Sequence, residues 1–207
     1  MKTIVYVDAF NLYYGSLRKT QYKWLDLLSL SRKLLTKNTI IGIKYFTAMV
    51  SPRESDSSSC QRQNTYIRAL KTLGNVECIF GKYLSHPVTM RKQFIEPGEN
   101  PFVKVIKTEE KGSDVNIASH MLLDAFQHKC DCFALISGDS DLMTPVSMIR
   151  NVFNKPVGVI NPQKKESKAL KGVATFYKHI RENALKSSQF PDRLIDSNGV
   201  FYKPKEW

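Results

Sequence analysis

Two acidic turns stand directly after apolar segments of the chain. Asp8 follows the apolar run 4–7, and Asp139 and Asp141 follow the run 133–136 in a Ser-Gly-Asp-Ser-Asp turn. Carboxylates next to a buried strand are costly unless a cation compensates them. Ligands of open parallel sheets bind at the carboxyl ends of the strands, so the two turns converge if their strands are neighbours. The pattern predicts a site for a divalent cation.

Asp114 is a third acid that the pattern brings to the same edge. It opens a helix in which Ile117, Ala118 and Met121 follow three, four and seven positions later, which places it on the stripe facing the sheet. Mg²⁺ and Mn²⁺ prefer such carboxylate oxygens, and the lack of a His or Cys at a strand end argues against zinc. A hard dication beside a phosphodiester activates water and stabilises the leaving oxygen. Each acid alone also has a simpler interpretation, as a turn residue, a first-turn helix acid or a helix N-cap.

Apolar periodicity divides the chain into alternating strands and helices. The predicted strands cover 3–7, 40–50, 76–80, 132–136 and 155–160, and the predicted helices cover 24–35, 60–73, 112–128, 167–185 and a segment after the 137–141 turn. Such alternation implies right-handed crossovers and a parallel sheet. We therefore expect an α/β fold with a central, mostly parallel sheet of about five strands. One face of helix 112–128 is expected to be buried, and its residues are Val115, Ile117, Ala118, Met121, Leu122, Ala125 and Phe126.

The length of 207 residues suits one well-buried domain, which we assign to residues 1–185. Residues 84–111 interrupt the alternation and carry three prolines and five Lys or Arg residues, so we interpret them as a basic insertion, with a hairpin as one form. Residues 186–207 are interpreted as a C-terminal extension packed on the domain, with a hairpin turn at Asn198-Gly199.

Composition limits the classes of partner and compartment. Lys and Arg outnumber Asp and Glu by 31 to 19, a net charge of +12, yet residues 101–150 hold seven acids and five bases. An acidic focus on a basic surface suits a site that holds cations and attracts a polyanion, although an ordinary solvated surface explains the total charge equally well. No apolar run approaches the ~18 residues of a membrane span, and the first residues do not form a signal peptide. We expect a cytoplasmic protein whose four cysteines are reduced thiols.

These acidic segments resemble the NYN family, the PIN-like nuclease-type domains that include the LabA-like proteins. The matching segments are 7–13, 111–115 and 137–141, the last followed by Pro145, and the resemblance extends over about residues 1–180. It implies a PIN-like three-layer α/β/α sandwich. It also implies a metal-dependent ribonuclease, an endonuclease that hydrolyses RNA phosphodiesters with Mg²⁺ or Mn²⁺ as cofactor.

The resemblance implies roles for individual residues. The metal ligands would be Asp8, Asp114, Asp139 and Asp141, the last of which would bind the ion or orient a water. Asn11 would join this catalytic set as a polar ligand or phosphate contact, with a helix N-cap as the simpler alternative. Residues expected to contact nucleic acid are Ser137, Lys111, Lys164, Lys165 and Lys168. Ser137 has the alternative of bonding a carboxylate.

Two positions depart from the pattern of relatives. His120 stands in the long helix where relatives often carry an acid, about 240° around the helix from Asp114 and therefore on the outward face. Thr175 precedes Phe176 in the last predicted helix, where an acid is also frequent. These changes bear on substrate choice and level of activity more than on the acidic site.

Alternatives to a nuclease remain open at this point. The expected partner is single-stranded or structured RNA, and an RNA-binding or regulatory module with a vestigial site is the main competing function. Tyr13, Tyr14 and Tyr45 are candidates for stacking on bases, with packing as the alternative. A phosphotransfer or receiver domain is disfavoured because the first strand offers only Asp8. Membrane partners are not expected, and a homodimer is left open.

Overall fold

The computed structural model describes residues 1–50 and 56–207 of the chain. The main-sheet strands are β1 Lys2–Asp8, β2 Thr39–Ala48, β3 Val76–Arg91, β4 Phe102–Lys111, β5 Cys132–Ile136, β6 Val157–Asn161 and β7 Phe176–His179. They form a seven-stranded sheet in the order β4-β3-β2-β1-β5-β6-β7. All neighbours are parallel except β3 and β4. The predicted α/β class and mostly parallel sheet are confirmed.

Helices cover both faces of this sheet. They are α1 Ala9–Leu12, α2 Leu27–Leu34, α3 Ser59–Lys71, α4 Ser113–Phe126, α5 Met143–Asn151, α6 Lys168–Val173 and α7 Glu182–Lys186. Along β1, Val5 and Val7 pack with α1, α2, α3 and α7, whereas Ile4 and Tyr6 pack with α4, α5 and α6. This alternation follows from the two-residue period of a strand, and it yields the predicted three layers. None of the helices formed by the described residues is long and apolar enough to cross a membrane.

The sheet has seven strands and not about five because one predicted helix was wrong and because the 84–111 segment adds a strand as a hairpin. The helix predicted over 167–185 stops at Val173, and the chain then enters strand β7. Thr175 begins this pairing: its amide donates to the Val157 carbonyl at 2.7 Å, and its hydroxyl accepts from the Val157 amide at 3.0 Å. Thr175, Phe176 and Tyr177 are β-branched or aromatic, and such residues favour a strand paired with the open edge of β6 over a further turn of helix. Thr175 therefore stands directly before strand β7 and not in a helix.

Strand β4 is the other addition, and it belongs to a long hairpin. Strand β3, predicted to end at residue 80, continues to Arg91. Its first half pairs with β2, and residues 82–91 pair with β4 over residues 102–111. The segment interpreted as a basic insertion therefore forms a two-stranded arm that returns the chain to α4 at the edge of the site.

The buried face of α4 differs from the predicted one. Ile117, Met121 and Ala125 are buried, but Val115 and Phe126 are 69% and 70% exposed. Because an α-helix has 3.6 residues per turn, Asp124 lies on the same face as Ile117, seven positions earlier, and is buried with it. His120 was wrongly placed on the outward face.

His120 and Asp124 belong to a polar cluster on the α4 side of the sheet. Asp124 is fully buried and accepts a hydrogen bond from Tyr6 at 2.7 Å, while Lys44 and Lys129 pair with its carboxylate. His120 packs against Phe46 at a 5.6 Å ring separation, and its Nδ1 lies 3.3 Å from the Lys44 Nζ. Burial opposes the charge of Asp124, but the bonds from Lys44, Tyr6 and Lys129 outweigh it, so the pKa of Asp124 is lowered.

The C-terminal residues pack on the opposite helical layer. Two strands, β8 Arg193–Asp196 and β9 Gly199–Tyr202, form a hairpin. Its turn residues are Ser197 and Asn198, one position before the predicted Asn198-Gly199, and Gly199 opens β9 with a φ of +100°. Trp24 donates its indole N–H to the Pro191 carbonyl at 2.9 Å. Its ring contacts Phe190, Phe201 and Trp207. The segment therefore completes the core on this face.

We predict that Asp124→Asn destabilises the protein by about 3 kcal/mol at pH 7, because it removes the nearest counter-charge of the buried Lys44 ammonium and leaves only the half-exposed Glu77 at 4.0 Å. Since the folded pKa of Asp124 lies below the unfolded value, its stabilisation is present above an unfolded pKa of about 3.9 and is lost as pH falls through the folded value. Urea unfolding at several pH values measures this.

The control for this variant is Glu166→Gln, which removes the exposed ion pair with Lys171 and should change stability by at most about 0.5 kcal/mol. Equal stabilities of the Asp124→Asn variant and the wild-type protein at pH 7 would contradict the role given to the cluster.

Candidate active site at the carboxyl edge of the sheet

The two acidic turns are neighbours because β1 and β5 are adjacent parallel strands, with Val7 opposite Ile136. Asp8 ends β1 and caps α1 by accepting the Asn11 amide at 2.9 Å on Oδ1. Its other oxygen, Oδ2, accepts a hydrogen bond from the Ser137 hydroxyl at 2.9 Å. The Ser137 Oγ in turn accepts the Asp139 amide at 3.1 Å. Ser137 therefore joins the two turns.

Asn11 also holds the turns together. Its side-chain oxygen accepts the Gly138 amide at 2.9 Å and the Gln163 side-chain amide at 3.0 Å. A Cβ at Gly138 would lie 2.6 Å from the Asn161 Oδ1, so only glycine permits this close approach. Asn11 borders the acidic cavity, but its Oδ1 is occupied by these donors. The N-cap position considered for Asn11 is filled by Asp8.

The N-terminus of α4 brings two more acids to this edge. Asp114 lies in its first turn, where it is exposed and not on the buried stripe predicted for it. Glu110, at the end of β4, accepts hydrogen bonds from the Ser113 amide at 3.2 Å and the Ser113 hydroxyl at 2.9 Å. Sequence reasoning missed Glu110 because residues 84–111 were treated as an insertion. Its position one residue before the Lys-Gly-Ser-Asp segment is the signal that points to it.

These acids border one cavity of about 270 Å³, hereafter the acidic cavity. Its lining consists of Asp8, Phe10, Asn11, Tyr14, Tyr83, Glu110, Ser113, Asp114 and Asp139. Asp141 is exposed and does not line it, although its amide donates to the Asp139 Oδ1 at 3.0 Å. Of the four predicted metal ligands, the fold brings Asp8, Asp114 and Asp139 to one cavity and leaves Asp141 outside its lining.

The carboxylates in and around the acidic cavity repel one another. Burial raises the pKa of Asp8 to about 6, its bonds from Asn11 and Ser137 oppose this rise, and Asp114 and Asp139 add to it. The pKa of Asp114 is likewise raised by burial and by Asp139, Glu110 and Asp141. No cationic side chain lines this cavity among the described residues. A bound cation would relieve this repulsion.

The donor atoms suit Mg²⁺ or Mn²⁺, since carboxylate oxygens of Asp8, Asp114 and Asp139 border the cavity. In the part of the chain that the structure describes, no three acidic, histidine or cysteine side chains are placed so that they could hold a metal ion as a group. Mg²⁺ is usually held by only one or two carboxylates and keeps several waters, so this arrangement fits such an ion.

The predicted phosphate contacts occupy different places. Lys164 and Lys165 are exposed in the loop after β6, the loop whose Gln163 binds Asn11, and Lys168 is exposed at the first position of α6. Lys111 ends the hairpin arm, does not line the acidic cavity and pairs with Glu109 at 3.5 Å. Ser137 is buried between the two turns, where it bonds a carboxylate.

A second, larger cavity of about 390 Å³ adjoins the acidic one, and we call it the aromatic cavity. The rings in its lining are Phe10, Tyr13, Tyr14, Tyr45, Tyr66, Tyr83 and Trp207, and its charged residues are Arg18, Lys23, Asp56 and Arg62. Phe10, Tyr14 and Tyr83 line both cavities. Phe10 and Tyr83 meet edge to face with ring centres 5.9 Å apart. These shared rings form the partition between the two cavities.

Comparison with known proteins shows the family. The family model of the NYN domain matches residues 2–181, nearly the whole chain. The chain belongs to the NYN domain family. This membership confirms the resemblance seen in the acidic segments and places the chain in the PIN-like nuclease superfamily.

Of two similar proteins, one is named as a monooxygenase and the other as a protein of unknown function. The NYN chain is 31% identical over 240 aligned positions to the 6-hydroxy-3-succinoylpyridine 3-monooxygenase HspA of Pseudomonas putida, an alignment that covers 100% of this chain and 75% of that protein. A crystal structure of a protein of unknown function from Vibrio parahaemolyticus matches with a TM-score of 0.57 and 21% identity, covering 88% of this chain and 94% of that chain. The second likeness shows that the fold is shared.

We predict that Asp8→Asn stabilises the metal-free NYN domain by on the order of 2 kcal/mol at pH 7.5. The folded pKa of Asp8 is raised above its unfolded value, so its ionisation costs stability as pH rises from about 4 through 6 and the cost is complete above that range. Urea unfolding in EDTA should therefore show the full difference at pH 7.5 and little difference at pH 4.

The exposed Asp192 provides the matched control, and Asp192→Asn should leave the unfolding free energy within about 0.5 kcal/mol of wild type. If Asp8→Asn lowers stability at pH 7.5, then the hydrogen bonds of Asp8 outweigh the repulsion and our account of the cavity is wrong.

Proposed function

We propose that this NYN domain is a metal-dependent ribonuclease that cleaves RNA internally at the acidic cavity. The observation that carries the proposal is the meeting of Asp8, Asp114 and Asp139, from three separate elements, at one cavity on the carboxyl edge of the sheet. The raised pKa of Asp8 and the absence of a lining cation among the described residues support a cation as the missing partner.

The residues at this site fall into metal ligands, a residue that orients water, and residues that hold the others in position. One or two of the carboxylates of Asp8, Asp114 and Asp139 at a time would hold Mg²⁺ or Mn²⁺, with waters as the other ligands. The ion would supply the Lewis acidity that activates water and stabilises charge on the phosphate. Ser137 keeps Asp8 and Asp139 in register through its two hydrogen bonds. Asp141, which is exposed and lies outside the lining of the acidic cavity, would orient an attacking water. Asn11 is a positioning residue, since its side-chain oxygen binds Gly138 and Gln163.

RNA would be attracted by the positive surface around this site. Lys164, Lys165 and Lys168 lie in the loop and helix that follow β6, at the same edge as Asp8 and Asp139. Lysines at such positions contact phosphates and release counterions, which gives affinity without sequence preference. The net charge of +12 around an acidic cavity supports a polyanionic substrate together with a metal ion.

We expect Asp139→Asn to lower Mn²⁺-supported RNA cleavage by about 100-fold or more, because a metal ion contributes several kcal/mol of transition-state stabilisation. Labelled total RNA incubated with pure protein in Mn²⁺ or EDTA measures the rate, and circular dichroism checks the fold. The double variant Asp8→Asn/Asp139→Asn should be inactive, and Asp192→Asn should cleave at the wild-type rate.

Two outcomes of this experiment would contradict the ribonuclease proposal. Cleavage that is unchanged in the double variant would place the chemistry elsewhere. Binding of RNA without cleavage in any divalent metal would instead favour the RNA-binding or regulatory module. That module differs from the nuclease in needing no intact set of carboxylates, so its affinity for RNA would be the same in Mn²⁺ and EDTA.

A second candidate function is oxygenation of a small heteroaromatic acid. The 31% identity to the HspA protein extends over all of this chain, and the aromatic cavity is large enough for one substituted ring. Monooxygenation inserts one atom of O₂ and takes two electrons from a donor. If the ribonuclease proposal is right, 6-hydroxy-3-succinoylpyridine will cause no O₂ uptake by the protein with reduced nicotinamide or reduced flavin as donor. Substrate-dependent O₂ uptake that Tyr14→Ala reduces would favour the second candidate.

A further inference from the structure

The aromatic cavity has properties that the chemistry at the acidic cavity does not use. Its volume of about 390 Å³ lies near the lower end of the range for small-molecule sites, so it accommodates one planar ring system and excludes a base-paired duplex. Seven of the 18 described residues that line it are aromatic, and three of its charged residues are cationic against one acid, Asp56. A planar ring attached to an anion is the chemical class that such a lining suits.

Three polar residues of the lining, Gln63, Tyr66 and Arg62, are already engaged in holding the cavity together. The Gln63 side chain accepts the Val50 amide and donates to the Ala48 carbonyl, and the Tyr66 hydroxyl donates to the Leu25 carbonyl. Arg62 pairs with Asp56. Because these groups are occupied, the cavity would recognise a ring mainly through its faces, and stacking is tolerant of the identity of the base.

Tyr14 stands at the partition between the two cavities and is 55% exposed. It lies in a turn of π-helix at Tyr13–Leu17, a geometry that often marks functional sites. A Cβ at Gly15 would meet the Pro162 carbonyl at 2.9 Å, so glycine lets this turn lie against the loop after β6. Tyr13 packs edge to face on the Tyr14 ring, and the Arg18 guanidinium lies 5.4 Å from its centre. The Tyr14 ring is thus held in place while remaining accessible.

We propose that the aromatic cavity is a base-binding subsite, which takes the unstacked base of one unpaired nucleotide while that nucleotide's phosphate lies at the acidic cavity. This inference rests on the proposed ribonuclease function and names its substrate class as single-stranded RNA. The shared wall of Phe10, Tyr14 and Tyr83 places the two cavities next to each other, as the base and phosphate of one nucleotide require. A duplex would first have to release a base, which costs a few kcal/mol.

The test measures binding separately from cleavage. Fluorescein-labelled single-stranded oligouridine is titrated in EDTA, and again in Mg²⁺ with the Asp139→Asn protein, by fluorescence anisotropy. Since stacking of one base on an aromatic side chain contributes about 1–3 kcal/mol, Tyr14→Ala should weaken binding roughly tenfold in both conditions. Tyr202→Ala is the matched control: Tyr202 is an exposed tyrosine that lines neither cavity, and its loss should change affinity less than about twofold.

Competition tests whether the ring itself is recognised. Uridine 5′-monophosphate should displace the labelled strand, and ribose 5-phosphate, which lacks the base, should not. Equal competition by both compounds, or unchanged affinity in Tyr14→Ala, would overturn the inference. Displacement by 6-hydroxy-3-succinoylpyridine but not by the nucleotide would also overturn it.

The two proposals fail in different ways. If the wild-type protein shows this Tyr14-dependent and base-dependent binding but cleaves no RNA in any metal, the ribonuclease function is wrong and the base-binding subsite stands. If the protein cleaves RNA and Tyr14→Ala changes neither affinity nor KM, the subsite is wrong and the ribonuclease function stands.

Discussion

The hydrogen bond from Ser137 to Asp8 is the interaction on which the candidate site depends, because it ties the end of β1 to the end of β5. The same hydroxyl accepts the Asp139 amide, so one side chain sets the positions of two carboxylates. Asn11 adds a second tie by accepting the Gly138 amide. Parallel pairing of β1 with β5 aligns the strands, but these polar bonds determine where the acids point.

Two buried carboxylates, Asp8 at the end of β1 and Asp124 in α4, show how differently this fold treats acidic charge. Asp124 pairs with Lys44 and Lys129, and its pKa is lowered. Asp8 has only neutral donors as partners, and its pKa is raised by burial and by the neighbouring acids Asp114 and Asp139. The first arrangement stabilises the fold, whereas the second stores repulsion that a cation would relieve. Uncompensated charge of this kind is typical of functional sites rather than of structural ones.

The adjoining cavities separate two tasks. The acidic cavity offers oxygen ligands for chemistry, and the aromatic cavity offers rings for recognition, with Phe10, Tyr14 and Tyr83 in the wall between them. A similar protein from Pseudomonas putida is named for the oxygenation of a pyridine, whereas the family belongs to a nuclease superfamily. Because one fold hosts different chemistries, the residues in the two cavities decide the function, and the fold alone does not.

The sequence by itself determined the α/β class, the three acidic segments and the family, because these depend on local periodicity and on short motifs. Adjacency of β1 and β5 was the condition under which the two acidic turns would converge, and the structure meets that condition. Only the tertiary structure decided that Asn11 binds Gly138, that Glu110 joins the acids, and that residues 176–179 form a strand. The position of Asp124 likewise emerged from the packing of α4 on the sheet. Asn11 and Asp124 depend on partners 127 and 80 residues away in the chain, and β7 depends on the open edge of β6. Glu110 reaches the cavity of Asp8 through the hairpin of β3 and β4. A local pattern carries no information about such partners.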